Sequence, residues 1–122
     1  MKSNLKDIIE SIPDFEDFLK LGEQIGQLSF EKLRMENQIK SKESETFKKA
    51  MAIPNGEGKF PSASFVTNSY LHTGLDGELV GLRDGLAFLT SELDKKRIQL
   101  AIYRDMLEVF RTISANERSS GF

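Results

Sequence analysis

The sequence predicts an all-α fold: two long helices folded back on each other as an antiparallel, coiled-coil-like hairpin, with a short N-terminal helix, in an oligomer. Three observations predict it. Leu75, Leu79, Leu82, Leu86, Leu89 and Leu93 alternate steps of four and three, and the register continues through Lys96, Leu100, Tyr103 and Leu107. A 3.5-residue repeat places all of these along one narrow helical seam, which must be buried against another helix. Upstream, residues 14–51 lack proline and carry a matching stripe: Phe18, Leu21, Ile25, Leu28, Lys32, Met35 and Ile39. Between the two segments, Pro54, Gly56, Gly58 and Pro61 forbid a continuous helix. Two helices of about 57–60 Å, joined by roughly 20 irregular residues, point to antiparallel neighbours.

The bulk composition agrees. At 122 residues the chain is a single domain's worth, with 30% charged and 39% hydrophobic residues and no tryptophan. This suits a helical protein with long solvated faces. The absence of cysteine excludes disulfides and thiolate metal sites. The start, MKSNLKDIIE, lacks the apolar core of a secretory signal, and no apolar run approaches the ~20 residues of a membrane span. The expected location is the cytoplasm, without membrane contact.

In chain order, Leu5, Ile8, Ile9 and Ile12 share one face of a short helix over 3–12, with Ser3 as a cap. Pro13 interrupts, and Asp14 caps a long helix over 14–51 with Asp17 in its first turn. A second stripe, Phe15, Leu19, Phe30 and Leu33, widens its apolar surface beyond a simple surface helix. Gly22 and Gly26 lie between the stripes; each costs about 1 kcal/mol against alanine, so close helix approach is their expected use. Residues 52–73 read as a loop, with a turn at Asn55-Gly56 and a very short hairpin between Ile53 and Phe60. Thr73-Gly74-Leu75-Asp76 has the form of a capping box. A closing helix then fills 74–114, with Gly77, Gly81 and Gly85 on its far side and a frayed tail over 115–122. The fold-back brings Phe47 near Gly77. All of this forms one domain, residues 1–122.

Both helices carry more apolar surface than one mutual seam covers, so a homo-oligomer is expected. Its interface residues are Gly22, Gly26, Ile98, Ile102, Met106, Val109 and Ile113.

Catalytic chemistry finds little footing. Gly56-Glu57-Gly58-Lys59 lacks the phosphate-loop spacing, and Phe60 stands where that motif needs a hydroxyl. His72 is the single histidine and cannot build a multi-histidine metal site. Ser62, Ser64 and Ser69 have no candidate base beyond it. The chain therefore reads as non-enzymatic, with no cofactor and no metal.

Charge is uneven within a net −2. Residues 32–59 hold seven basic residues against four acidic ones, whereas residues 1–31 hold three against seven. At the expected hairpin tip, Lys40, Lys42, Lys48, Lys49 and Lys59 approach Phe60, Phe65 and Tyr70. Cations that track phosphates, interleaved with rings on which bases stack, are what sequence-tolerant single-strand binding requires. The alternative is a solvated basic helix end whose aromatic rings pin the loop.

This layout resembles the helical-hairpin recombination mediators of T4-type bacteriophages. The resemblance lies in a Lys-rich helix (EKLRMENQIKSKESETFKKAM), a Gly-containing turn and an amphipathic closing helix ending EVFRTISANER. It implies ring-like assembly and loading of a recombinase onto single-stranded DNA, with Lys42, Lys48, Lys49 and Lys59 as the matching basic positions. The acidic net charge and the glycine-rich start of the closing helix depart from that pattern. A second resemblance is to prefoldin β-type subunits, although paired strands are not evident. The expected function is a non-catalytic oligomer binding single-stranded nucleic acid or a nucleoprotein partner. The alternative is a virion or chaperone-like assembly subunit that contacts only protein.

Overall fold

The computed structural model describes Asp7, Glu10 and residues 14–119. Its helices are α1 (Phe15–Met51), α2 (Ala63–Ser69) and α3 (Glu78–Ser119), with no strand among the described residues. The two long helices, of 37 and 42 residues, pack against each other. The short helix expected over 3–12 lies, apart from Asp7 and Glu10, outside the described residues.

Helix α1 begins where the sequence says it should. The Asp17 N–H donates to Asp14 Oδ1 at 3.0 Å, and the Asp14 N–H donates to Asp17 Oδ2 at 3.1 Å. This reciprocal box satisfies end groups that have no helical partner, and puts two carboxylates at the positive end of the dipole. At the other end the Ala52 and Ile53 N–H groups bond back to the carbonyls of Lys49 and Ala50. These tighter i→i−3 bonds close the last turn before Pro54, which lacks the next donor.

The leucine seam is the inner face of α3 and its approach. All ten of its positions, from Leu75 to Leu107, are buried or half-buried, with Leu79 and Leu93 fully enclosed. The matching stripe of α1 behaves alike, Leu21 and Ile39 being its most buried members. Burying one such side chain is worth about 1.5–3 kcal/mol, so the paired seams supply the main stabilisation.

Packing divides into two compact units. One joins the chain up to Leu28 with the chain from Glu92 onward; the other is Ser29–Ser91. In the first, Leu21 and Leu93 are buried, and the Phe18 and Tyr103 rings meet edge-to-face at 5.7 Å. In the second, Ile39, Ala50, Val66 and Leu79 form the apolar core with Thr46. There the helices run antiparallel: Met35 lies against Gly85, and Lys42 pairs with Glu78 nearer the connector.

Several expectations are corrected. Residues 62–73 are not all loop, because α2 occupies Ala63–Ser69. Its Ser62 cap accepts from the Phe65 N–H at 3.1 Å, and Val66 is completely buried. A cap and one anchored side chain outweigh the weak helix propensity of Ser, Thr, Val and Asn. The Thr73 capping box does not form. The Thr73 hydroxyl donates back to the carbonyls of Ser69 and Gly74, and the helix starts later, at Glu78. Gly74 and Gly77 both adopt positive φ, turning the chain twice before the helix begins. Phe47 does not fill a notch at Gly77, since nothing lies within 4 Å of the position a Cβ would take there. Gly22, Gly26 and Gly81 likewise face open space; Gly85 alone among the helical glycines meets a neighbour, the Met35 methyl at 3.4 Å. Helix α3 runs past its expected end at Ser114 and continues to Ser119. There the Arg118 and Ser119 side chains donate to the carbonyls of Ser114 and Ala115, one turn back along the helix.

Candidate nucleic-acid interface

The connector is built around Asn55. Its carbonyl accepts from the Gly58 N–H at 3.0 Å, and its own N–H donates to the Lys59 carbonyl at 2.8 Å. Its side-chain oxygen accepts from the N–H groups of Glu57 and Lys59 at 2.9 and 3.0 Å. Gly58 supplies the left-handed residue, φ 78°, that completes a three-residue loop with its bulge. The Asn55-Gly56 turn thus forms, but the hairpin expected between Ile53 and Phe60 does not develop strands.

This loop, the end of α1 and helix α2 line an open surface cavity of about 390 Å³, formed by Ala50, Ile53, Pro54, Asn55, Lys59, Pro61, Phe65 and Tyr70. The Phe65 and Tyr70 rings meet edge-to-face, their centroids 6.1 Å apart at 84°. Of the eight predicted interface residues, Lys59, Phe65 and Tyr70 are brought together here. Phe60 is next to them in sequence, does not line the cavity, and is 65% exposed.

The remaining lysines divide. Lys42 is salt-bridged to Glu78 and lies 3.8 Å from Glu45, while Lys49 bonds Glu45 at 2.6 Å. Glu78 chiefly holds the Lys42 ammonium charged above its usual 10.5, burial opposing the effect and Glu45 adding to it. The Lys49 hydrogen bond, then the Lys42 charge, keep the Glu45 carboxyl below its usual 4.5. These two lysines are engaged within the chain. Lys40 and Lys48 are exposed and unpaired among the described residues, but Lys40 sits ten residues before Ala50, about 15 Å back along α1. The predicted five-lysine tip is therefore reduced, near the cavity, to Lys59 with Lys48 on the adjoining helix end.

Sequence reasoning missed the cavity's apolar walls, although Pro54 and Pro61 bracketing the glycine turn were a visible signal. It also missed Arg83. Arg83 bonds Glu43 at 2.6 Å and the Leu71 carbonyl at 2.9 Å.

The predicted interface residues Ile98, Ile102 and Val109 are each more than half exposed, and Met106 and Ile113 are half-buried. Phe15, Leu19, Phe30 and Leu33 are exposed as well. A groove of about 590 Å³ runs beside Phe30, Leu33 and Leu82, and a second, of about 440 Å³, beside Phe88 and Leu89. Among the described residues no helix is long and apolar enough to cross a membrane, and no group of three or more His, Cys, Asp or Glu side chains is placed to hold a metal. No protein-family model, curated protein or solved structure matches the chain.

Proposed function

We propose that this is a non-catalytic, self-associating helical protein whose connector end binds single-stranded nucleic acid, in the manner of the phage recombination mediators it resembles. The cavity that combines an unpaired Lys59 with Phe65 and Tyr70 carries this reading, because it pairs a phosphate-seeking cation with ring surfaces. Self-association is supported by the exposed apolar side chains, which exceed the scattered few expected of a lone soluble chain. Assembly also repeats a modest basic site, which is how a chain of net charge −2 gathers affinity for a polyanion.

The test is titration of a labelled single strand at low and moderate salt, with light scattering on the same sample. The expected result is an oligomer whose affinity falls with salt and drops further in Lys48→Glu, Lys59→Glu. An assembled oligomer that binds no strand at low salt overturns the reading.

A second reading, assembly through protein contacts alone, is favoured by the internal engagement of Lys42 and Lys49 and by the two apolar grooves. It predicts the same oligomer without strand binding.

A further inference from the structure

We infer that the connector cavity holds one nucleotide, its base against the Phe65–Tyr70 pair and its phosphate at Lys59; this rests on the single-strand reading and names the unit that the site accepts. Four observations support it.

The polar groups at the cavity are donors. The Lys59 ammonium and the Tyr70 hydroxyl have no partner among the described residues. Asn55 spends its side-chain oxygen on two backbone N–H groups, which leaves its NH₂ as a further donor. No carboxylate lines the cavity, so an anionic, acceptor-rich ligand touches no like charge on its walls.

The other walls suit a flat ring. Perpendicular rings leave aromatic face uncovered, and Pro54 and Pro61 offer rigid apolar surfaces on the same lining. The volume, about 390 Å³, lies at the small end of ligand sites, which fits one nucleotide rather than several.

The site also exists before the ligand arrives. Four hydrogen bonds to Asn55 hold the loop that carries Lys59, and buried Val66 anchors the helix that carries Phe65. A preformed site loses less ordering entropy on binding. A docking peptide or second copy would leave the ammonium and both free donors without a need for phosphate, and is the competing occupant.

The experiment uses the full chain and three probes: an oligothymidylate, the same length of abasic strand, and free dTMP. The strand also carries one 4-thiothymidine for photo-cross-linking, with adducts located by mass spectrometry. The expected result is at least about tenfold weaker binding of the abasic strand, as loss of a stacked base implies. Cross-links should fall on Phe65 or Tyr70, and Lys59→Gln should weaken all three probes. Tyr70→Phe, which keeps the ring and the fold, should retain the abasic discrimination. Equal affinity for both strands with no adduct at these rings overturns the pocket and leaves the single-strand function standing. Binding of dTMP but not of the strand retains the pocket and overturns the strand reading. Failure of all three probes on folded protein overturns both, and assigns the cavity to protein contact.

Discussion

The Arg83 guanidinium of α3 bonds the Glu43 carboxylate of α1 at 2.6 Å and also donates to the backbone carbonyls of Leu71 and His72. One side chain thereby joins both long helices to the segment that follows α2. Both partners are about one-third exposed, so the ion pair alone is modest; the carbonyl bonds matter because their acceptors lie at a bend.

Replacing Arg83 with Gln is expected to destabilise the chain by about 1–2 kcal/mol. Glu43→Gln should cost less, since it leaves the carbonyl bonds in place. A double-mutant cycle by urea denaturation measures the coupling, and strictly additive losses would show that the pair contributes nothing.

Gly74 is buried at φ 75°, and a Cβ there would meet the Leu79 nitrogen at 3.3 Å. Gly74→Ala should therefore cost about 1–3 kcal/mol through left-handed strain and crowding together. Gly77→Ala has similar φ but open space around it, so its loss should be smaller. Thermal midpoints of the two variants make the comparison; equal losses would remove the crowding component.

Leu93 is 1% exposed, whereas Ile102 is 52% exposed. Leu93→Ala should lower stability by about 2–5 kcal/mol, as core truncations do. Ile102→Asp should leave helical content unchanged and reduce the mass seen by light scattering. Unchanged mass would exclude Ile102 from any interface between copies.

Two groups set the pH behaviour of the Lys42–Glu45–Lys49 cluster. Glu45 is held below its usual 4.5, so its contribution is present above that value and is lost as pH falls through the lowered one. Lys42 is held above 10.5, so its contribution is present below that value and is lost as pH rises through the raised one. Wild-type protein should lose more thermal stability than Glu45→Gln between about pH 5 and about pH 3. The difference will be small, because the groups are solvated, and parallel curves would count against the pairing.

The heptads had already marked the buried faces. Every seam position from Leu75 to Leu107 turned inward, and Phe15, Leu19, Phe30 and Leu33 were left outside, because a two-helix pair has one mutual face. The Asp14–Asp17 cap was equally legible, since a cap is made by residues three apart. The connector was less so. Val66 sits in a Ser- and Thr-rich stretch that reads as loop, and becomes helical through its cap and its burial.

For the candidate site, the residue types were visible in the chain, but not the partners that lie far along it. Glu45 stands within four residues of both Lys42 and Lys49, whereas only the fold puts Glu78 beside Lys42 and aromatic rings on the same cavity as Lys59. Periodicity and local caps act within a few residues, so the sequence by itself determined the two long helices and the face each one buries. Lys42–Glu78, Arg83–Glu43 and the cavity depend on contacts between segments far apart in the chain. Those were decided by where the chain turns back, at Asn55–Lys59 and again at Gly74 and Gly77.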